Sequence, residues 1–108
     1  MPSEKSTTSF HDLIHSETPV LIDFYADWCG PCKAFAPQLQ KFKEDMGDKV
    51  RVVKIDVDRN QELAGKLSVQ SIPTIMIFQG GELKYREAGA RPIPELKAQV
   101  EALVAQPS

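Results

Sequence analysis

Apolar positions fall along the chain in solid runs and in one spaced stripe. VLIDFYA, Val20 to Ala26, is a nearly unbroken run of strand length, and VRVVKIDV, Val50 to Val57, is a second. Such runs fit strands covered on both faces. Between them Phe35, Leu39, Phe42 and Met46 recur at intervals of four, three and four, which marks one face of a helix. That helix is expected to open at the cysteine motif WCGPCK and to run to about Met46, with Gly47 as its C-terminal cap. Pro37 falls inside it and is expected to kink it, because proline lacks an N–H and crowds the preceding turn. Lys41, Lys43, Glu44 and Asp45 lie off the stripe and read as a solvated face. Strand, helix and strand within about 38 residues fit a parallel βαβ unit with a right-handed crossover.

The flanks carry shorter signals. Residues 1–8 are polar, and Ser9-Phe10-His11-Asp12 reads as a capping box that opens a short helix burying Phe10, Leu13 and Ile14. Asn60 is placed to cap a further short helix carrying Leu63 and Leu67. TIMIF (Thr74 to Phe78) and ELKYRE (Glu82 to Glu87) flank Gly80-Gly81, a tight hairpin turn. Leu83 and Tyr85 alternate with Lys84 and Arg86, as in an edge strand with one wet face. Pro94 suits the first turn of a last helix burying Leu96, Val100 and Leu103. The fold class is therefore α/β, a central mixed sheet of four or five strands flanked by helices on both faces. Residues 1–8 form a polar segment and residues 9–108 one domain.

Composition narrows what such a domain does. A chain of 108 residues, 42% hydrophobic, has a core available without staples or metals. Thirteen basic and fifteen acidic residues give a net charge of -2, so no basic stripe invites nucleic acid. There is no run of 18 apolar residues, so no membrane span is expected. MPSEKSTTSF holds no apolar run that serves as a secretory signal. The expected location is the cytoplasm, where thiols are kept reduced. A cysteine pair there does chemistry or binds metal rather than bracing a fold.

Both cysteines, Cys29 and Cys32, lie in WCGPCK with only Gly30 and Pro31 between them. A bridge so short constrains the unfolded chain weakly. Beside a βαβ pattern, the pair points to redox chemistry. If the helix starts at the motif, Cys29 lies at its positive end and Cys32 one turn further in. The N–H of Cys32 then points at the Cys29 sulfur, while Pro31 has none to offer. Dipole and hydrogen bond both favour a thiolate on Cys29, which makes it the nucleophile and Cys32 the resolving thiol. Zinc is the competing reading, since His11 and His15 are spaced i, i+4 and complete a two-cysteine, two-histidine set. A lone C-x-x-C supplies only half a tetrahedral site, however, and the ample core argues against a metal-dependent fold, so no metal is expected.

WCGPCK after DFYAD resembles the thioredoxin family. Pro37, Lys54, Ile72-Pro73-Thr74 and Gly89-Ala90 extend the resemblance from about Phe10 to the last helix. It implies the thioredoxin fold and the reduction of disulfides in other proteins. Cys29 attacks the target, a mixed disulfide forms, and Cys32 displaces the reduced target, leaving a Cys29–Cys32 disulfide. No cofactor is expected in the chain, because no G-x-G-x-x-G follows a strand. The resemblance then implies a separate flavin- and nicotinamide-dependent thioredoxin reductase as electron donor, protein disulfides as substrates, and a monomer. Trp28, Gly30, Pro31, Ile72, Pro73, Gly89 and Ala90 are the implied substrate-binding residues. Trp28 is expected to form a flat apolar surface with Ile72 and Ala90 beside an exposed sulfur, and Pro73 to carry a cis bond facing the cysteines. The family usually opens with an apolar strand, and MPSEKSTT offers none, which leaves the fifth strand open. Tyr25 stands where tryptophan is common in bacterial members.

Asp23 interrupts an apolar strand, where a buried carboxylate is costly without a partner. An ion pair with Lys54 is one reading. Six residues before a redox cysteine, the preferred one is a proton acceptor for Cys32, through water, with Lys54 tuning the carboxylate. Two other functions on this fold stay open: a binding module that does not need its thiols, and an oxidase or isomerase. Gly-Pro between the cysteines argues for a reductant, since the family's oxidising members usually carry histidine there.

Overall fold

The computed structural model describes residues 9–106. Its sheet has the strand order β2-β1-β3-β4, with β1 spanning Val20–Tyr25, β2 Arg51–Asp56, β3 Thr74–Gln79 and β4 Glu82–Ala88. β1 runs parallel to β2, from Val20 opposite Arg51 to Tyr25 opposite Asp56, and antiparallel to β3. β3 and β4 are antiparallel. β1 and β3 are the inner strands, which is why their sequences are almost continuously apolar. Successive side chains of an inner strand leave on opposite faces and must find two different partners. Leu21, Ile75 and Ile77 pack with Phe35, Leu39 and Phe42 of α2 (Gly30–Met46) and with Leu96 and Val100 of α4 (Ile93–Ala105). Val20, Ile22, Phe24, Met76 and Phe78 pack instead with Phe10 and Ile14 of α1, helical over 9–14, and with Leu63 of α3 (Gln61–Lys66).

The mixed sheet with helices on both faces is thus as the sequence patterns imply, with four strands among the described residues. An opening strand in residues 1–8 falls outside them. The α2 stripe is buried as expected and the helix ends at Met46, with Gly47 at φ +57°. Pro37 stands on its exposed side, and the helix continues through it.

Three local expectations need correction. Ser9 is itself helical, so it is not the cap of α1. Asn60 does occupy the N-cap of α3, but its side-chain amide donates to the Asp56 carbonyl at 2.9 Å rather than capping the helix. Leu83 is 47% exposed and does not share a face with Tyr85. Ile77 pairs with Tyr85 and Phe78 with Leu83, so Lys84 is an extra residue, a bulge that resets the alternation.

The loops are tied down by backbone donors and one guanidinium. Gly80 and Gly81, at φ +61° and +85°, make the β3–β4 turn, and their N–H groups donate to the carbonyls of Ser16 and Ile14 at the end of α1. Arg86 on β4 donates to the carbonyls of Leu67 and Ser68, closing the C-terminal end of α3, where Ser68 takes φ +56°.

Candidate active site

The first residues of α2 are the site. Cys29 keeps an extended backbone (φ -85°, ψ 111°) at the N-cap, and Gly30 begins the helix. An N-cap side chain ordinarily accepts from an N–H two or three residues on. The Cys29 sulfur does so here, accepting from the Cys32 N–H at 3.2 Å. Pro31 carries no N–H, so it offers no competing donor, and early in a helix the missing group costs nothing. The helical ladder opens with the Lys33 N–H on the Cys29 carbonyl, 3.1 Å. No acidic residue lies in the first turn, so no carboxylate there offsets the positive helix end.

The two cysteines are joined as a disulfide, with Cα atoms 5.3 Å apart. They are 3% and 4% exposed, among Ala26, Tyr25, Val57 and Ile72. The exposed sulfur expected at Cys29 is therefore not found in this oxidised form. Cys32 belongs to the buried side of α2, one turn before Phe35, and the bridge draws the Cys29 sulfur towards that side.

One further loop reaches the pair, and a second is tied to that loop. The Cys29 sulfur lies 3.9 Å from the Ile72 carbonyl oxygen, and the Ile72–Pro73 bond is cis. The Gly89 N–H donates to the Pro73 carbonyl at 2.7 Å, with Gly89 at φ +89°. Gly30, Pro31 and Ala90 are exposed, Ile72 and Gly89 half-buried, and Pro73 buried. Trp28 is 69% exposed, and its indole N–H donates to the Asp58 carboxylate at 2.8 Å. Asp58 escaped the sequence reading. Its signal was the DVDRN loop after β2, where Asp56 accepts from the N–H groups of Asp58 and Arg59 and so folds the loop back towards the motif.

Asp23 and Lys54 are direct neighbours in the β1–β2 register. Asp23 is 1% exposed, leaves β1 on the same face as Leu21, under α2, and its Oδ1 has no hydrogen-bond partner. Burial pushes its pKa from 3.8 up to about 6, with the Lys54 charge opposing the rise. An ion pair with Lys54 is not formed among the described residues. The Lys54 ammonium sits over the Tyr25 ring instead, 4.6 Å from its centroid. Lys54 and Tyr25 also line, with Ala26, Asp27, Cys32, Lys33 and Ala36, a cavity of about 120 Å³. Cys32 and Lys54 thus border one small space. His11 of α1 and His15 just beyond it hold their rings 4.3 Å apart and tilted, and among the described residues no three potential metal ligands cluster.

A cysteine pair at a helix N-terminus, backed by an inner sheet strand and faced by a cis-proline loop, defines a protein of dithiol–disulfide exchange. The thioredoxin family model matches residues 2–102, and the chain belongs to the thioredoxin family. It is 49% identical over 88 residues to the thioredoxin of Bacillus subtilis (strain 168), covering 82% of this chain and 85% of that one. It is 46% identical over 82 residues to the bifunctional thioredoxin reductase/thioredoxin of Mycobacterium leprae (strain TN), covering 76% of this chain and 18% of that one. The oxidised mitochondrial thioredoxin 3 of Saccharomyces cerevisiae matches with a TM-score of 0.79 at 36% identity, over 89% of each chain. The protein is a thiol–disulfide oxidoreductase, and Cys29–Cys32 is its redox centre.

Proposed function

We propose that the protein passes two electrons to disulfides of other proteins, with Cys29 attacking, Cys32 resolving, and a thioredoxin reductase restoring the dithiol. The observation that carries the division of labour is the Cys32 N–H directed at the Cys29 sulfur on the N-cap. In the reduced form the same donor and helix end favour a Cys29 thiolate. That thiolate attacks one sulfur of the target, breaks its S–S bond, and releases the first target thiolate. Cys32, deprotonated, then attacks the Cys29 sulfur of the mixed disulfide and releases the second. The target gains two electrons and two protons, and the Cys29–Cys32 bond remains to be reduced. The name of the Mycobacterium leprae relative joins reductase and thioredoxin in that one protein. This supports a reductase as the electron source here.

Trp28, Gly30, Pro31, Ile72, Pro73, Gly89 and Ala90 form the docking rim, a reading supported by the Ile72 carbonyl beside the Cys29 sulfur and by the Gly89 N–H that ties the next loop to Pro73. Asp23 accepts the Cys32 proton through water. Its charge cannot promote a second anion nearby, so its use lies in exchanging protons. A pKa of about 6 suits that exchange near neutral pH. Lys54 sets how far the pKa rises. The protein works in the cytoplasm as a monomer, with residues 9–108 as one domain. Sedimentation equilibrium checks the monomer.

Insulin reduction driven by dithiothreitol tests the reading. The native protein should accelerate it, Cys29→Ser should be inactive, and Cys32→Ser should trap mixed disulfides through position 29. Trapping through position 32 reverses the assignment. Undiminished function of Cys29→Ser in place of a thiol-dependent reaction points to the binding-module alternative. Asp23→Asn should slow reduction and alter its pH profile, and an unchanged profile makes Asp23 purely structural.

A further inference from the structure

Outside the cysteine site, a polar cluster joins β4 to the start of α4. The Tyr85 hydroxyl donates to Glu95 Oε2 at 2.5 Å. The Arg91 guanidinium meets the same carboxylate with two donors, Nε to Oε2 at 3.2 Å and a terminal nitrogen to Oε1 at 3.0 Å. Tyr85 rests against the core that α4 and α2 share, so the strand end of this clasp is rigid. Glu95 stands in the first turn of α4, where a carboxylate also suits the helix dipole. Burial and the carboxylate together push the Tyr85 pKa up to about 12, so the phenol remains a donor at working pH.

Only residues 89–92 separate β4 from α4. At one end of that link the Gly89 N–H is tied to the Pro73 carbonyl. At the other, Arg91 is held by Glu95 and, through it, by Tyr85. Ala90 lies exposed between the two anchors.

We infer that Tyr85, Glu95 and Arg91 are positioning residues for protein substrates, holding the Gly89–Ala90 segment of the docking rim in its binding-ready place beside Pro73. The inference rests on the proposed role of that rim. A mobile rim must be ordered when a substrate strand lies along it, and this cost falls on binding rather than on chemistry. None of the three touches a sulfur. A disulfide too small to lie along the rim should therefore be indifferent to the clasp, whereas a protein disulfide should not.

The test uses Tyr85→Phe, which removes one hydrogen bond and keeps the ring and the charge, and Glu95→Gln, which breaks the ion pair. Insulin and 5,5′-dithiobis(2-nitrobenzoate) serve as large and small disulfides. For each variant KM for insulin should rise roughly three- to tenfold with kcat unmoved, the scale set by the net worth of one ordinary hydrogen bond. The rate with the small disulfide should stay as in the native protein. Amide exchange at Gly89 should quicken, because a looser link lets its N–H leave the Pro73 carbonyl more often. Equal losses on both disulfides, or faster Gly89 exchange with an unchanged insulin KM, overturn the inference. Ala90→Asp separates it from the reading beneath it. If Ala90→Asp alone raises the insulin KM, the rim binds substrate and the clasp is wrong. If neither change raises it, both fall.

Discussion

Replacing the buried carboxyl of Asp23 by the amide of asparagine should stabilise the protein, and by an amount that depends on pH. The folded chain holds the Asp23 proton more tightly than the ordinary value of 3.8 allows, because burial raises the pKa to about 6 against the pull of Lys54. Where the folded state binds more protons than the unfolded one, stability falls as pH rises. The loss therefore begins near the unfolded value and is complete once pH passes the folded value. Below the window both states are protonated and the carboxyl costs nothing. Above it the cost is the shift from 3.8 to about 6 converted at 1.36 kcal/mol per unit, about 3 kcal/mol. The asparagine side chain never ionises, so D23N should match the native protein near pH 3 and exceed it by up to about 3 kcal/mol near pH 8. The new amide hydrogens need partners, which trims the gain by about 1 kcal/mol if one stays unmet. Urea unfolding of the disulfide form at both pH values measures this, with the slope of unfolding against urea checked for constancy. A difference that is flat with pH, or that favours the native protein at pH 8, refutes the buried-charge argument.

Iodoacetamide at neutral pH should alkylate Cys29 of the reduced protein well before Cys32, since only Cys29 receives the helix end and the Cys32 N–H; peptide mapping after partial reaction shows which. Gly81→Ala should cost about 1–3 kcal/mol, because φ +85° strains an L-residue and the new methyl meets the His15 ring. The midpoint of urea unfolding reads this, and adding His15→Ala should recover the steric part. Gln79→Leu should cost about 1–3 kcal/mol by leaving the carbonyls of Glu17 and Leu103 without the buried amide that serves both, and thermal unfolding measures it.

The legible parts of the molecule are those whose causes lie close together in sequence. The stripe from Phe35 to Met46 is a helix face by spacing alone, and the runs in β1 and β3 are doubly buried strands by composition. The redox centre spans four residues, so its cap geometry and its chemistry could be read from one motif. What remained hidden depends on register or on long-range pairing. Leu83 and Tyr85 look like one face of a strand until Lys84 is found to be an added residue. Asp58 meets Trp28 across 30 positions of chain, and Arg86 closes α3 from 18 and 19 positions away. No periodicity encodes such contacts. Tyr85 and Glu95 are ten apart and meet only because a short link folds α4 back on β4.

Asp23 lies between these cases. An acidic residue inside VLIDFY announces a buried charge, and Lys54 is the obvious partner by register, yet the ammonium rests on Tyr25. A full ion pair under α2 requires Lys54 to give up its hydration, a cost that the attraction often fails to cover. Over the aromatic ring the ammonium keeps an exposed side and still gains a cation–π contact. The result is an intermediate coupling, strong enough to oppose the effect of burial and too weak to cancel it. A tight pair would hold the carboxylate ionised through the whole working range and leave it unable to take up a proton. Complete isolation would raise its pKa further and keep it protonated. With the Lys54 ammonium over Tyr25, burial outweighs its pull and the carboxyl stays near 6, where a proton can be both accepted and released.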